Sequence, residues 1–290
     1  MSVSRRRFLA IAASFAAAPA LAQPHRWSGR AFGAEVSITL NGPRDVAGTA
    51  LIEARALIAE IERLFSLYDP NSDLVHLNTA GTLKVPARFV QLMQIADMAH
   101  TLTDGLFDPT VQPLWHALST GQDTHDARTL IGWDRVAVRG RRVTLGRGQA
   151  LTFNGIAQGY ATDVVSDMLR ARGFDNTLVN IGEYRGTGGS WRLGVADPTH
   201  GLLATRTLTT GAIATSSPLA TPLGPDGHIV HPAQAPQWST VSVEADSAAI
   251  ADALSTGLTL GGISLARRVR AARGVQRITL IDPVGDLTTL

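Results

Sequence analysis

The sequence contains no cysteine and only one lysine, Lys84, in 290 residues. Without cysteine the chain has no disulfide, no thiolate nucleophile and no cysteine-ligated metal. Walker A, GxSxG and HExxH motifs are also missing, so the sequence does not support the nucleotide, serine-hydrolase or zinc chemistry that those motifs indicate. Apolar residues make up 44% of the chain and charged residues 17%, which is typical of globular proteins with a full core.

The first 22 residues, MSVSRRRFLAIAASFAAAPALA, have the pattern of a twin-arginine signal peptide. Three arginines precede an apolar run at residues 8–18, and an Ala-Leu-Ala cleavage site follows. The run is shorter than the roughly 20 residues that span a bilayer. We predict a signal peptide at 1–22, one domain at 23–290, export by the twin-arginine machinery and a soluble periplasmic protein. The alternative is an uncleaved interfacial helix.

Cleavage at that site would remove three arginines and no acidic residue, so the formal charge of +2 would become −1. The remaining chain has no basic block and no stripe of basic and aromatic residues. Nucleic-acid binding is therefore not expected.

Hydrophobic periodicity predicts helices at residues 46–65, 86–102 and 246–261, and a strand at 27–40. Residues 120–128 are polar and predict a surface loop. Further strands are expected at 136–138, 142–145, 191–196, 203–209, 238–243 and 278–282. Strands and helices alternate without regular βαβ units, so the predicted class is α+β, with mixed or antiparallel sheets packed with helices.

The most informative stretch is residues 151–189. It predicts a strand, a bend at Gly155, Ala157 and Gly159, a helix, and a second strand ending at Gly182. Glycines at the bend would let a phosphate or a metal approach the bare backbone, and the N–H groups there could hold phosphate oxygens.

Several side chains have the chemistry of a site. Asp252 and Thr256 share one helical face, which suits Mg²⁺, although the spacing alone favours a solvated Asp with a Thr against the core. His228 and His231 lack zinc-site spacing, which favours a structural or phosphate-facing role. Asp108 is either a base or nucleotide acceptor, or an ordinary turn cap.

Four segments together resemble the FAD:protein FMN transferase (ApbE) family: FSLYDPNSDLVHLN (65–78), DGLFDPTVQP (104–113), GIAQGYATD…LVNIG (155–182) and ADALST (251–256). GAIATS (211–216) and residues 228–232 support the match. The resemblance implies a T-fold-like architecture and a Mg²⁺-dependent enzyme that splits FAD. It also implies transfer of FMN to a Thr or Ser of an exported redox partner, with release of AMP.

Carried over by position, the resemblance makes the backbone carbonyl of Gly155, Asp252 and Thr256 the Mg²⁺ ligands. His228 and Asp252 become the catalytic residues, His228 by assisting the transfer. The implied FAD-binding residues are Phe32, Tyr68, Asn78, Leu106, Phe107, Asp108, Thr152, Gln158 and Ile229.

The sequence departs from the family pattern at several of these positions. Thr152 replaces an Asp, Gln158 replaces a Lys, and Glu183 replaces a Gly in the Gly-Gly-Asp element. The element beginning at His228 is altered from His231 to Ala235, and Ser217 replaces a Gly. Losing the Lys removes a positive charge, for which Arg185 or His231 could compensate. The alternatives are therefore FAD or partner binding without transfer, and hydrolysis of FAD to FMN and AMP.

Overall fold

The computed structural model describes residues 24–223 and 227–290. The predicted signal peptide at 1–22 lies outside these residues. Within them, no helix has the length and apolar character needed to cross a membrane.

The centre of the fold is an eight-stranded antiparallel sheet, which confirms the α+β prediction. Its strands, in spatial order, are β1 (His25–Ala31), β2 (Ala34–Leu40), β6 (Thr177–Asn180), β7 (Tyr184–Thr187), β10 (Gly211–Ser216), β11 (Thr240–Ala245), β12 (Val275–Ile281) and β13 (Leu287–Thr289). Two smaller antiparallel sheets join β3 (Thr82–Lys84), β5 (Arg142–Thr144) and β4 (Ala137–Arg139), and β8 (Trp191–Asp197) with β9 (Gly201–Leu208).

Helices cover the sheet in the order α1 (Arg44–Phe65), α2 (Asp73–Ala80), α3 (Ala87–Leu102), α4 (Gln112–Thr120), α5 (His125–Thr129), α6 (Ala157–Ala171), α7 (Ala248–Leu258) and α8 (Ile263–Arg270). The main core lies between α1, α3, α6 and the β2–β6 part of the sheet. A second core joins α7 and α8 to β10, β11 and β12. The ribbon of β8 and β9 packs through Trp191, Leu193 and Val195 on a third cluster.

Helix α1 forms where the periodicity predicts it. Its buried residues recur every three or four positions: Ala47, Ala50, Ala54, Ile58, Ile61, Leu64 and Phe65. It ends at Ser66, whose N–H donates to the Glu62 carbonyl.

Helix α7 is buried on nearly every side, because alanines let it pack against α6, α3, β10 and β11 at once. The Ser247 hydroxyl caps its first turn by accepting from the Ile250 N–H. This helix carries Asp252 and Thr256 into the middle of the molecule.

Three local predictions were wrong, and one helix was missed. Residues 27–40 form a hairpin rather than one strand, with Phe32 (φ 51°) and Gly33 (φ 72°) at its turn. Residues 151–154 form no strand, and Leu151 instead pairs with the Asn78 side chain. The loop predicted at 120–128 contains the start of α5, and the helix α8 was not predicted.

Candidate functional site

Asp252 lies in the middle of α7 and is only 4% exposed. The Gly159 N–H, in the first turn of α6, donates to its Oδ2 at 3.0 Å. A Cβ on Gly159 would stand 2.3 Å from the Ala248 carbonyl oxygen, so a side chain at residue 159 would collide with α7. Glycine is therefore needed there for the bend to rest on α7 beside the carboxylate.

Gly155 makes a second close approach to α7. A Cβ on it would stand 2.9 Å from Thr256 Oγ1. The Thr256 hydroxyl is also 3.1 Å from the Ser216 hydroxyl, which in turn lies 2.8 Å from the Ser255 hydroxyl. The bend thus contacts α7 at two places, Gly155 at Thr256 and Gly159 at Asp252, although the two segments are about 100 residues apart in the chain.

Asp163 fixes the start of α7 against α6. Its carboxylate accepts from the Ser247 hydroxyl at 2.6 Å and from the N–H groups of Ala248 and Ala249 at 2.9 and 3.0 Å. A carboxylate at a helix N-terminus is stabilised by the exposed N–H groups and the helix dipole. The sequence analysis missed this residue, because its partners lie 84 to 86 residues further along the chain.

Two acidic side chains of the site lie near each other. Burial raises the pKa of Asp252 to about 7, partly opposed by the Gly159 hydrogen bond. Burial, and then the charge of Asp252, raise the pKa of Glu183 well above its usual range. In the described residues, Asp252 Oδ1 and Glu183 Oε1 accept no hydrogen bond. Carboxylate oxygens of this kind, near a hydroxyl and bare backbone, are a donor set that suits a hard divalent cation.

The predicted metal set contains only one carboxylate. At residues 24–223 and 227–290, no group of three His, Asp or Glu side chains that could hold a metal is found. The site depends instead on oxygens of different kinds, namely a carboxylate, a hydroxyl and a backbone carbonyl.

The bend at Gly155 to Gly159 does not offer the predicted row of N–H groups to a phosphate. The N–H groups of Ile156 and Ala157 donate to the Phe153 carbonyl, at 3.0 and 2.8 Å, and that of Gly159 donates to Asp252. The expectation that this backbone holds phosphate oxygens is therefore wrong for these three donors. The bend instead brings its backbone into close contact with α7.

Three of the predicted FAD-binding residues lie on the loop before α4. Phe107 and Leu106 rest on the C-terminal end of α7. A Cβ on Gly257 would stand 3.0 Å from Phe107 Cβ, and one on Gly261 would stand 3.1 Å from Leu106 Cδ1. Asp108 caps the following turn by accepting from the Thr110 N–H and hydroxyl at 2.8 and 2.6 Å. The turn-cap alternative for Asp108 is thus observed.

The segment before Gly155 joins this loop. The Thr152 N–H donates to the Pro109 carbonyl at 2.8 Å. Asn78 holds the neighbouring Leu151 through both of its backbone groups, at 2.9 Å to the carbonyl and 2.8 Å from the N–H. Two of the segments that carried the family resemblance, 65–78 and 104–113, therefore meet at the residues just before Gly155, where Asn78 acts as a backbone clamp.

His228 and Ile229 lie in the long connection between β10 and β11. The His228 N–H and ring Nδ1 both lie within hydrogen-bonding distance of the Pro218 carbonyl, at 3.0 and 2.8 Å. Because a carbonyl can only accept, Nδ1 carries the proton of the neutral ring. Ile229 is 8% exposed.

The two groups suggested to replace the missing Lys charge do not do so. Burial lowers the pKa of His231, although the charge of Asp108 opposes this, and its Nδ1 accepts from the backbone N–H groups of residues 233 and 234. Arg185 is paired with the carboxylates of Asp163 at 2.8 Å and Asp167 at 3.1 Å. The amide of Gln158, at the position of the Lys, lies against the Gly182 backbone.

Phe32 and Tyr68 are the predicted residues least connected to this group. The Phe32 N–H donates to Glu62 at 2.7 Å, and Tyr68 is 71% exposed. No hydrogen bond described in residues 24–223 and 227–290 links either one to the other predicted site residues. A surface depression of about 490 Å³ lies between β1 and α1, and it is lined by no residue of the predicted FAD or metal set.

The fold is that of solved flavin transferases. It superposes on the flavin transferase ApbE of Vibrio cholerae with a TM-score of 0.82, over 93% of this chain and 97% of that one, at 23% identity. For the apo flavinyl transferase ApbE of Pseudomonas stutzeri the TM-score is 0.80, over 93% and 94% of the two chains, at 22% identity. At these identities the likeness concerns the fold.

Sequence comparison gives the family itself. The model of the ApbE family matches residues 32–278, and the chain belongs to that family. Two curated relatives named FAD:protein FMN transferase are 24% and 27% identical. The one from Vibrio cholerae serotype O1 aligns over 80% of this chain and 79% of its own. The one from Klebsiella pneumoniae strain 342 aligns over 61% and 63%.

Proposed function

We propose that this protein is a Mg²⁺-dependent FAD:protein FMN transferase that modifies a Thr or Ser of an exported redox partner. Family membership and the activity named for both curated relatives support the reaction type. The observation that supports the metal dependence is the close approach of the bend to α7, with Gly155 against Thr256 and the Gly159 N–H on Asp252.

The buried site fits the proposed chemistry. When bound, Mg²⁺ would neutralise the diphosphate of FAD and orient its phosphorus for in-line attack. Asp252 and Thr256 would hold it with the Gly155 carbonyl, while Asp163 keeps α7 in place beneath them. Because the Gly159 N–H occupies Asp252 Oδ2, the Oδ1 atom is the oxygen left to face a cation.

The transfer forms one P–O bond and breaks another. The acceptor hydroxyl oxygen bonds to the phosphorus of the FMN half, the diphosphate bond to that phosphorus breaks, and AMP leaves. The proton of the hydroxyl needs a base. His228 fits this role, since a neutral ring protonated at Nδ1 has its lone pair on Nε2.

The test is an assay of the mature protein with FAD, Mg²⁺ and a Thr-containing acceptor peptide, scored by mass. We expect the acceptor to gain FMN and AMP to appear in equal amount. Free FMN and AMP without modified acceptor would show hydrolysis, and intact bound FAD would show a binding protein. Either of these results would overturn the proposed transfer.

A variant pair tests the metal site in the same assay. Asp252→Ala should abolish Mg²⁺-dependent turnover, since it removes the only carboxylate of the predicted ligand set. The control is Asp45→Ala, which deletes an exposed carboxylate in the first turn of α1. Turnover unchanged in Asp252→Ala would refute the metal assignment.

A further inference from the structure

The bend between β6 and β7 holds Glu183 in a fixed position. The Gly182 N–H donates to the Asn180 side chain at 3.0 Å, and Gly182 has a φ of 94°, which favours glycine. The Glu183 carbonyl accepts from the Ile181 N–H and the Thr162 hydroxyl, both at 3.2 Å. The backbone of this acidic residue is therefore tied to both its own bend and α6.

The side chain of Glu183 reaches toward β10. Its Oε2 accepts from the Thr215 N–H at 3.1 Å. The next residue along β10 is Ser216, whose hydroxyl lies 3.1 Å from Thr256 Oγ1. Glu183 thus stands beside the strand that contacts the hydroxyl of the proposed metal site.

Glu183 and Asp252 are both bound to the first turns of α6, Glu183 through the Thr162 hydroxyl and Asp252 through the Gly159 N–H, and the charge of Asp252 acts on Glu183. Each carboxylate uses one oxygen for a backbone N–H, and neither second oxygen accepts a hydrogen bond from a described residue. No salt bridge to either carboxylate is found at residues 24–223 or 227–290, and the nearby Arg185 is paired with Asp163 and Asp167. A carboxylate as buried as that of Asp252, with the second carboxylate of the half-buried Glu183 nearby and no counter-charge, is costly unless a cation accompanies the pair.

We propose that Glu183 is a second acidic ligand of the divalent-cation site, acting on the cation directly or through a coordinated water. This rests on the proposed function, which places the cation at Asp252, Thr256 and Gly155. With Glu183 included, the two carboxylates carry the charge that one Mg²⁺ or Mn²⁺ neutralises. Such a pair binds a hard cation more tightly than a single carboxylate does.

The test is calorimetric titration of the metal-free full chain with Mg²⁺ and with Mn²⁺, in the absence of FAD. Glu183→Gln keeps an oxygen that can accept from the Thr215 N–H and removes only the charge. We expect its affinity for both cations to fall by about tenfold or more, as for other residues around metal ligands. The matched control is Glu53→Gln, which removes the charge of a half-exposed carboxylate paired with Arg172, and should bind as the wild type does.

A structural role would give a different pattern. If Glu183 served only to hold the bend, Glu183→Gln would lower the melting temperature and leave the cation affinity unchanged, which would overturn the proposal. As a ligand, it should instead leave the metal-free melting temperature equal or higher, because one of two repelling charges is gone. Glu183→Asp keeps the charge on a shorter side chain and should bind with intermediate affinity, which provides a second test should Glu183→Gln fold poorly.

The variant Asp252→Asn distinguishes a failure of this proposal from a failure of the proposed function. If Asp252→Asn loses the cation while Glu183→Gln binds as the wild type does, Glu183 is no ligand and the metal site stands. If the wild type binds neither cation, both the site and the role of Glu183 are refuted.

Discussion

Replacing Gly159 by alanine tests the contact on which the whole site depends, that of the first turn of α6 with α7. The new Cβ would stand 2.3 Å from the Ala248 carbonyl oxygen and 2.8 Å from Asp252 Cβ. The two backbones must then move apart, which costs about 1–3 kcal/mol in a packed interior. The same movement breaks the hydrogen bond from the Gly159 N–H to the buried Asp252 carboxylate, at about 1.5–3 kcal/mol. We expect the free energy of unfolding to fall by about 3–5 kcal/mol.

Thermal unfolding followed by circular dichroism measures this loss, with Gly48→Ala as the matched control. Gly48 is exposed on α1, and nothing lies within 4 Å of its ideal Cβ. Alanine there should raise stability by about 0.5–1 kcal/mol, because it suits a helix better than glycine. At roughly 2–4 °C per kcal/mol for a chain of this size, Gly159→Ala should melt roughly 6–20 °C lower than the wild type. Equal melting of Gly159→Ala and the wild type would refute the close packing and the position of Asp252 derived from it.

Two further predictions concern the clamp and the acidic pair. Asn78→Ala leaves the buried N–H and carbonyl of Leu151 without their partners, so urea unfolding should show a loss of about 2–4 kcal/mol. Exposed Asn154→Ala should stay within about 0.5 kcal/mol, and equal losses in the two variants would contradict the clamp. The pKa of Asp252 rises from 3.8 to about 7 on folding and that of Glu183 also rises, so the metal-free folded state binds more protons than the unfolded chain between those values. The stability contributed by this pair should therefore fall as the pH rises from about 4 to 7. If the free energy of unfolding changed with pH in the same way in the wild type and in Asp252→Asn, this prediction would be contradicted.

The sequence was sufficient to predict the elements that carry strong local signals. The helices α1 and α3 follow the helical period of an apolar face, and α7 is indicated by its alanine-rich run. Asp252 and Thr256 lie on one face of α7 because they are four residues apart. The close contacts of Gly155 and Gly159 agree with the expectation that bare backbone was required at this bend. The element that these two glycines contact, however, is α7, which is too distant in the sequence for a local pattern to reveal.

The wrong local predictions share a physical cause, namely partners distant in the sequence. Phe32 adopts a positive φ, a conformation that non-glycine residues rarely take, while its N–H is bound by Glu62, 30 residues later. The run beginning at Leu151 has strand-like composition, but its backbone bonds go to Asn78, 73 residues earlier. The roles of Asp163 and Glu183 were hidden for the same reason, since both depend on which strand and helix ends the fold brings together.

The two departures from the family pattern nearest the metal site also lie next to each other. Gln158, in place of a Lys, has its amide against the Gly182 backbone, and Glu183, in place of a Gly, follows directly. The first change removes a positive charge. The negative charge of Glu183 is balanced by Tyr184, which replaces the Asp of the same Gly-Gly-Asp element, so these two elements together are about one unit more negative than the pattern implies. Arg185 cannot offset this, because it is paired with two other carboxylates. A bound cation must then supply the missing positive charge. The affinity for FAD should therefore depend more strongly on the Mg²⁺ concentration in this chain than in a relative that keeps the Lys.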